Sequence, residues 1–266
     1  MQAGSQQQQG FSAARVILIV VVALLLIGGG GLIYHATISQ PTQLATAIST
    51  VQAIATSQAA ATVVAQANAQ ATATIVVIQS IYTQVTRRTP AFNAPLSHQD
   101  SNHWDEDANC TFVGGSYHAR ESQPNSFFSC SPNTLPATFN NFAFQVQMTI
   151  IKGDYAGLLF RSDSTVSNYY FLTMNQAGAY SLNVYRNDKQ VKKLVSGTSA
   201  AFNAGLNQLN LITVIAQGDS FYLYVNGQFA ATASDTTYGR GSIAVVAGNN
   251  SHPTEVAFSN AKIWRT

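Results

Sequence analysis

The feature that most constrains this chain is an uncharged stretch: from Val16 to Thr86 the sequence contains no Asp, Glu, Lys or Arg. Soluble domains carry charged surfaces, and about a quarter of their residues are charged. Here only 9% of all residues are charged, and every Asp and Glu lies between Asp100 and Glu255. The chain therefore divides into an uncharged N-terminal part and a C-terminal part that can form a soluble domain.

Residues 16–34 read VILIVVVALLLIGGGGLIY. As a helix this run would span about 29 Å, close to the hydrocarbon thickness of a bilayer of ~30 Å. We predict a single transmembrane helix over residues 15–35. The alternative is a cleaved signal peptide, because Val16–Ile27 has the length of its apolar region and the glycines that follow are small.

The orientation of this segment follows from its flanking charges. Arg15 precedes it, and no other Lys or Arg occurs until Arg87. By the positive-inside rule, residues 1–14 form a cytoplasmic tail, and the chain that follows the helix lies outside the cell. The tail is rich in Gln and lacks an apolar run, so we expect it to be disordered. The sequence thus predicts a single-pass protein of the cell membrane with an extracellular C-terminal domain.

Residues 36–88 form a low-complexity stalk composed mainly of Ala, Thr and Gln. Ala and Gln favour helix, and apolar residues such as Ile78, Tyr82 and Val85 recur at spacings of three and four. We predict a helix, beginning after a kink near Pro41, whose weak apolar seam would allow weak self-association. A disordered, O-glycosylated stalk is the alternative. Residues 89–103, which contain two prolines, are predicted to be a linker.

Residues 104–266 contain short runs of alternating apolar and polar residues separated by turn residues, the pattern of an all-β domain. Alternation over Phe142–Ile150 predicts a strand with one face on the core. Asn226-Gly227 predicts a tight hairpin, because both positions of a type I′ turn need positive φ. Ten or more strands favour a two-sheet antiparallel jelly-roll sandwich over a small barrel.

The order and spacing of several short motifs carry a family resemblance. They are Gly157-Leu-Leu-Phe-Arg161, Tyr169-Tyr170-Phe171, Gly178-x-Tyr180-x-Leu182, Leu223-x-Val225-Asn226-Gly227, Asp235-x-x-Tyr238, Gly241-x-Ile243 and Val256-x-Phe258-x-Asn260. The C-terminal domain resembles the concanavalin A-like lectin/glucanase superfamily, nearest to bacterial 3-keto-disaccharide hydrolase-like and laminin-G-like modules. This resemblance implies two curved antiparallel sheets with a concave face that often binds carbohydrate. The anchor, stalk and module together resemble the outer half of certain bacterial receptor-like kinases.

Cys110 and Cys130 are the two cysteines of the chain. Both lie in the part placed outside the cell, where disulfides form readily. We predict that they are bridged, and the alternative is a pair of buried thiols. A disulfide closing this loop of about twenty residues would contribute ~3 kcal/mol.

Catalytic and metal-binding patterns are weak in this sequence. A retaining glycosidase needs two carboxyl groups ~5–5.5 Å apart, and glucanases of the similar superfamily supply them from a Glu-x-Asp-x-Glu type of strand. The three Glu, at 106, 121 and 255, do not form that motif. The five His and two Cys show no zinc spacing. We assign no catalytic residue, cofactor or metal, and Asp105-Glu106-Asp107 is interpreted as a solvated or calcium-tolerant loop.

Sugar binding requires exposed aromatic rings and polar groups that bond hydroxyls. If Phe160 is a core residue, strand alternation places Arg161 on the opposite, outer face. We therefore predict that Arg161, Tyr170 and Tyr185 form an exposed ligand-binding patch. The alternative is a structural Arg stacked on tyrosines that cover the sheet.

The leading functional hypothesis is a membrane-anchored binding module that recognises glycan or cell-wall polysaccharide. A glycoside hydrolase on the same fold is the alternative from a different class, and a pilin-like or structural surface subunit is a minor one. With a formal net charge of +2, nucleic acid is not an expected partner.

Overall fold

The computed structural model describes residues 41–133 and 138–266. The predicted cytoplasmic tail (1–14) and transmembrane helix (15–35) lie outside the described residues. The described chain contains the helix α1 (Pro41–Thr86) and the strands β1 (Phe92–Ala94), β2 (Cys110–Val113), β3 (Ser116–Glu121), β4 (Ser126–Cys130), β5 (Phe142–Lys152), β6 (Tyr155–Ser162), β7 (Tyr169–Asn175), β8 (Ala179–Arg186), β9 (Lys189–Thr198), β10 (Leu209–Gln217), β11 (Ser220–Val225), β12 (Gln228–Ser234), β13 (Ser242–Asn249) and β14 (Thr254–Arg265).

The strands form two antiparallel sheets that pack face to face. One sheet has eight strands in the order β12-β11-β10-β5-β14-β3-β2, with β1 paired to β14. The other has six strands in the order β4-β13-β6-β7-β8-β9. Side chains such as Phe144, Phe160 and Phe258 are fully buried in the core between them. The predicted two-sheet jelly-roll sandwich is therefore confirmed.

Local turn chemistry sets the register of the most clearly predicted hairpin. Asn226 and Gly227 have φ values of 51° and 76°, and Val225 pairs with Gln228 across the turn. Asn and Gly tolerate these left-handed conformations better than other residues, so this dipeptide fixes a two-residue turn. The predicted hairpin between β11 and β12 is confirmed.

The stalk region is helical from Pro41 to Thr86, a length of 46 residues. Proline suits a helix start because the first helical N–H has no intrahelical partner. By length and composition, the part from Ala47 to Thr86 is apolar enough to cross a membrane, a test that core helices and signal sequences also pass. The chain divides into two units, and the unit that contains both sheets is Gln66–Thr266.

The last turns of α1 pack on the outer face of the eight-stranded sheet. Ile78, Ile81, Tyr82 and Val85 contact a cluster formed by Ala143, Ile215, Tyr224 and Trp264. Because α1 covers this side, residues 142–146 of β5 are buried on both faces, whereas the end of β5 alternates.

Hydrogen bonds fasten the same helix segment to the sheet. The Gln79 amide donates to the Gly227 carbonyl at 2.6 Å and accepts from the Phe229 N–H at 3.2 Å. The Trp264 indole N–H donates to the Arg88 carbonyl at 2.7 Å. The end of α1 is thus part of the folded C-terminal unit.

Cys110 and Cys130 form a disulfide, which confirms the predicted bridge. Cys110 begins β2, at the edge of the eight-stranded sheet, and Cys130 ends β4, at the edge of the six-stranded sheet. The bond therefore links the two sheets at one side of the sandwich.

Candidate functional site

The outer side of the six-stranded sheet is the candidate functional surface. Alternation along β6 and β7 places Leu158 and Phe160 in the core, while Leu159 and Phe171 belong to a separate cluster on the outer side. We call this outer side the open face. From β6 to β9 it carries Tyr155, Gly157, Leu159, Tyr169, Phe171, Thr173, Asn175, Ala179, Ser181, Asn183, Tyr185, Gln190, Lys193, Ser196 and Thr198.

A cleft with a cavity volume of about 340 Å³ lies on the open face. This volume is within the range of ~300–1,000 Å³ typical of small-ligand pockets. None of the residues that line the cleft carries a charge. They are Tyr155, Phe171, Thr173, Asn175, Ala179, Tyr180, Ser181, Asn183, Tyr185, Gln190 and Asn250.

Aromatic rings form one wall of this cleft. Tyr185 stacks almost parallel to Tyr169, with centroids 4.9 Å apart and planes at 14°. Phe171 meets the Tyr185 ring edge-on at 6.0 Å. Tyr185 is half-buried, so part of its ring remains exposed to solvent. A sugar that reaches this wall would find an ordered aromatic surface for stacking.

Two glycines allow aromatic rings to lie close to the sheet. A Cβ on Gly248 would overlap the ring of Tyr155, and a Cβ on Gly157 would overlap the ring of Phe171. Any larger residue at either position would push its ring away from the sheet. The shape of the cleft thus depends on small residues in the neighbouring strands.

Amide and hydroxyl groups line the cleft beside the rings. The Ser181 hydroxyl donates to Asn183 Oδ1 at 3.1 Å, and Asn175 Oδ1 accepts the backbone N–H groups of Ala177 and Ala179. Each Asn keeps its Nδ2 donors without a protein partner in the described residues. These donors are held in place by the bonds that their own oxygens accept.

The tyrosines of the cleft stay protonated at neutral pH. Burial raises the pKa of Tyr155 to about 12, and burial also raises the pKa of Tyr185. Both hydroxyls can therefore donate hydrogen bonds to a ligand.

A carboxylate clamp holds the loop that supplies Asn250 to the cleft. One Asp154 oxygen accepts the backbone N–H groups of Asn250, Ser251 and His252 at 2.7–2.9 Å, and the other lies 2.8 Å from His252 Nδ1. Burial alone would raise the pKa of Asp154, but these hydrogen bonds hold it well below its usual value. Asp154 therefore stays ionised and fixes the loop.

The predicted position of Arg161 on the exposed face is wrong. Arg161 is the extra residue of a β-bulge between β6 and β13, with a φ of 49°, and only 2% of it is exposed. The bulge breaks strand alternation, so Arg161 follows Phe160 into the interior. Its guanidinium donates to the carbonyls of Asn140, Gly218 and Tyr238 at 2.8–3.2 Å. Arg161 therefore has the structural role that was the alternative.

The predicted exposure of Tyr170 is also wrong, because this residue is fully buried. Its ring stacks on Phe160 at 5.3 Å, and its hydroxyl donates to Asp235 at 2.9 Å and accepts from the Tyr238 N–H at 3.1 Å. The sequence did contain the signal, since Tyr170-x-Leu172-x-Met174 is the apolar alternation of β7. Of the three predicted residues, only Tyr185 lies on the open face.

Sequence reasoning missed the polar part of the cleft. Thr173, Asn175, Ser181 and Asn183 come together only because β7 and β8 pair with Thr173 opposite Ser181. Their signal was the polar half of the alternation in these two strands, which reads as an ordinary solvated face without knowledge of the pairing.

Outside the cleft, two acidic side chains of the predicted Asp105-Glu106-Asp107 loop accept hydrogen bonds from backbone N–H groups. Asp105 accepts the Ser131 N–H at 2.8 Å, and Asp107 accepts those of Asn109 and Cys110. Within residues 41–133 and 138–266, no group of three or more His, Cys, Asp or Glu side chains is placed to hold a metal ion.

No protein-family model matches this sequence, and no curated protein matches it. Solved structures share its architecture. A carbohydrate-binding module, CBM66 from Bacillus subtilis, is 16% identical with a TM-score of 0.52, covering 63% of this chain and 99% of the module. A β-glucanase from Bacillus licheniformis is 14% identical with a TM-score of 0.50, covering 68% of this chain and 100% of the glucanase.

A third similar structure is a protein of unknown function with a galectin-like fold from Bacillus subtilis. It is 14% identical with a TM-score of 0.52, covering 67% of this chain and 96% of that protein. The fold is the concanavalin A-like jelly-roll sandwich. This confirms the predicted sandwich fold, while membership of the superfamily and its 3-keto-disaccharide hydrolase-like or laminin-G-like subtype stay predictions. Identities this low establish the fold alone.

Proposed function

We propose that this protein is a membrane-anchored, extracellular glycan-binding module whose ligand occupies the cleft of the open face. The observation that carries the proposal is the lining of that cleft, where tyrosine rings stand beside fixed amide and hydroxyl groups. Rings stack on the apolar faces of sugars, and amides bond their hydroxyls. Tyr185 supplies a half-buried ring, and Asn183, which is 5% exposed, supplies amide donors.

The similar structures are consistent with this proposal. One is a carbohydrate-binding module and another is a β-glucanase. Since unrelated functions occur on one fold, the site rather than the fold decides between binding and hydrolysis.

The composition of the cleft favours binding over hydrolysis. Glycosidases that retain configuration place two carboxyl groups ~5–5.5 Å apart, and those that invert it place them ~6.5–9.5 Å apart. The residues that line this cleft include no Asp or Glu. A ligand bound here would therefore contact donors and rings but no acid or base pair.

Replacing Tyr185 by Ala tests the proposal. We expect glycan affinity to fall by about 1–2 kcal/mol, roughly five- to thirty-fold, because stacking on the exposed ring is lost. The matched control is Tyr222→Ala, which removes a half-buried tyrosine from the outer face of the other sheet. Binding is measured on a glycan array and then by calorimetry with the best glycan.

The outcome separates the functional classes. Equal affinity of wild-type protein and Tyr185→Ala for the best glycan would remove the open face as the binding site. Release of reducing sugar from that glycan by the wild-type protein would favour the glycoside hydrolase alternative. Absence of any glycan binding would overturn the proposal.

We also propose that the segment over residues 15–35 anchors the module in the cell membrane, with residues 36–266 outside. The uncharged run after Arg15 supports this topology. Protease treatment of intact cells should release the C-terminal unit. A C-terminal unit that becomes accessible only after lysis would contradict it.

A further inference from the structure

One lysine on the open face has no counter-charge. Lys193 pairs with Asn183 across β8 and β9, so its side chain shares the face that carries the cleft. Strand alternation turns its neighbour the other way: Lys192 pairs with Val184, a core residue, and its ammonium lies 3.1 Å from Asp235. Adjacent lysines thus have different roles.

Lys193 is exposed, and its ammonium takes part in no ion pair or hydrogen bond with the described residues. It is also the one charged residue that strand register places on the open face between β6 and β9. The acidic side chains that directly precede β6 and β9 already have partners. Asp154 binds its loop amides, and Asp188 lies within hydrogen-bond distance of Ser167.

We propose that the cleft binds an oligosaccharide that carries an anionic substituent, and that Lys193 neutralises this group at the β9 edge. The inference rests on the proposed glycan-binding function and specifies its ligand. The shared chemistry is an oxyanion, supplied by a uronic acid carboxylate, a sulfate ester or a phosphodiester. An unpaired ammonium next to neutral donors attracts such a group, while the uncharged cleft accepts the rest of the sugar.

Lysine on an edge strand also serves to prevent pairing with other chains. Lys189 begins the same edge strand and pairs with Arg186, beside the cleft-lining pair of Tyr185 and Gln190 but on the opposite face by strand alternation. Lys189→Gln is therefore a matched control for Lys193→Gln. Both lysines lie on the edge strand and can prevent its pairing with other chains, but only Lys193 shares a face with Asn183.

The test uses calorimetry on the full-length protein with four probes: trigalacturonic acid, its methyl ester, a sulfated galactan oligosaccharide and a glycerol-phosphate oligomer. We expect at least one anionic probe to bind more tightly than the neutral ester. Lys193→Gln should weaken that binding about three- to five-fold, the size expected for an exposed ion pair, and Lys189→Gln should leave it unchanged. Raising the salt concentration should abolish the difference between wild type and Lys193→Gln.

The arms of this test distinguish the failures. Equal binding of the ester and the acid, with no effect of Lys193→Gln, would overturn the anionic ligand but keep a neutral glycan site. Equal losses in Lys193→Gln and Lys189→Gln would overturn the role of Lys193, since net charge alone would explain them. If no probe binds while a neutral glycan binds on the array, the inference fails and the proposed function stands.

Discussion

The two sheets of the sandwich have outer faces that differ in what covers them. The eight-stranded sheet presents Tyr224 and Trp264 outward, and the last turns of α1 bury them. The six-stranded sheet presents the half-buried Tyr185 and the polar groups that line the cleft, and in the described chain its outer cluster includes no residue of α1. Both faces are aromatic, so aromatic content does not identify a binding surface. The face that the chain's own helix leaves uncovered is the one suited to a ligand.

The polar groups of the two outer faces also differ. We call the outer face of the eight-stranded sheet, on which α1 packs, the covered face. On the covered face, polar groups bond the helix: the Gln145 amide donates to the Tyr82 hydroxyl at 3.0 Å, and the Tyr224 hydroxyl donates to the Ile78 carbonyl at 2.7 Å. On the open face, Asn175 and Asn183 bond only through their oxygens and keep free donors. The covered face therefore contributes stability, and the open face retains unused hydrogen-bonding capacity.

Removing the part of α1 that packs on the sheet should cause the largest loss of stability. A chain that begins at residue 89 exposes the cluster of Tyr224 and Trp264, whereas one that begins at residue 66 keeps it covered. We expect the free energy of unfolding of the shorter chain to be lower by about 4–8 kcal/mol, because the sheet loses its contacts with four apolar helix side chains. Urea unfolding followed by tryptophan fluorescence measures the difference. Equal midpoints for the two chains would show that the covering is not needed.

The sequence contained part of this contact but not its partner. The recurrence of Ile78, Tyr82 and Val85 predicted a seam on the stalk, and these residues do form the buried side of α1. The seam was interpreted as a site for weak self-association. Spacing along a helix shows that a face is apolar, but whether it meets a second helix or the chain's own sheet depends on contacts between distant residues. Self-association stays a prediction.

The second prediction separates Arg161 from Tyr185, which the sequence placed together in one exposed patch. Arg161→Ala should cost about 3 kcal/mol of stability, because it removes a buried guanidinium and its charge-assisted hydrogen bonds to three backbone carbonyls. Tyr185→Ala should change stability by less, since its ring is part exposed. Thermal unfolding of both variants, beside the core variant Phe160→Ala, provides the measurement. An Arg161→Ala protein as stable as wild type would restore Arg161 as a candidate surface residue.

The error at Arg161 has a specific physical cause. The strand over Phe142–Ile150 and the Asn226-Gly227 hairpin follow from local residue patterns, and both were predicted. The orientation of Arg161 depends on a bulge opposite Ser242 and Ile243 in a strand far along the chain. A single inserted residue reverses every later position on a strand. Local alternation therefore predicts which runs are strands better than it predicts which side a residue faces.

The smallest changes in stability are expected when one tyrosine hydroxyl is removed from each outer face. Tyr224→Phe deletes a donor that bonds the Ile78 carbonyl at 2.7 Å beneath α1, and we expect a loss of about 1 kcal/mol. The Tyr185 hydroxyl lies 3.5 Å from Gln190, at the limit of a hydrogen bond, so Tyr185→Phe should leave stability unchanged. Both variants keep their rings, so only the hydrogen bonds differ.

Parallel urea titrations of the two Phe variants, with glycan affinity measured on each, sharpen the comparison between the faces. Tyr224→Phe should lower the unfolding midpoint and leave affinity intact, because its hydroxyl faces the helix. Tyr185→Phe should keep the midpoint and lower affinity a few-fold, because the exposed hydroxyl bonds a ligand in place of water. If Tyr185→Phe destabilises the protein as much as Tyr224→Phe does, the hydroxyl of Tyr185 already has a partner, and the open face is structural in the same sense as the covered one.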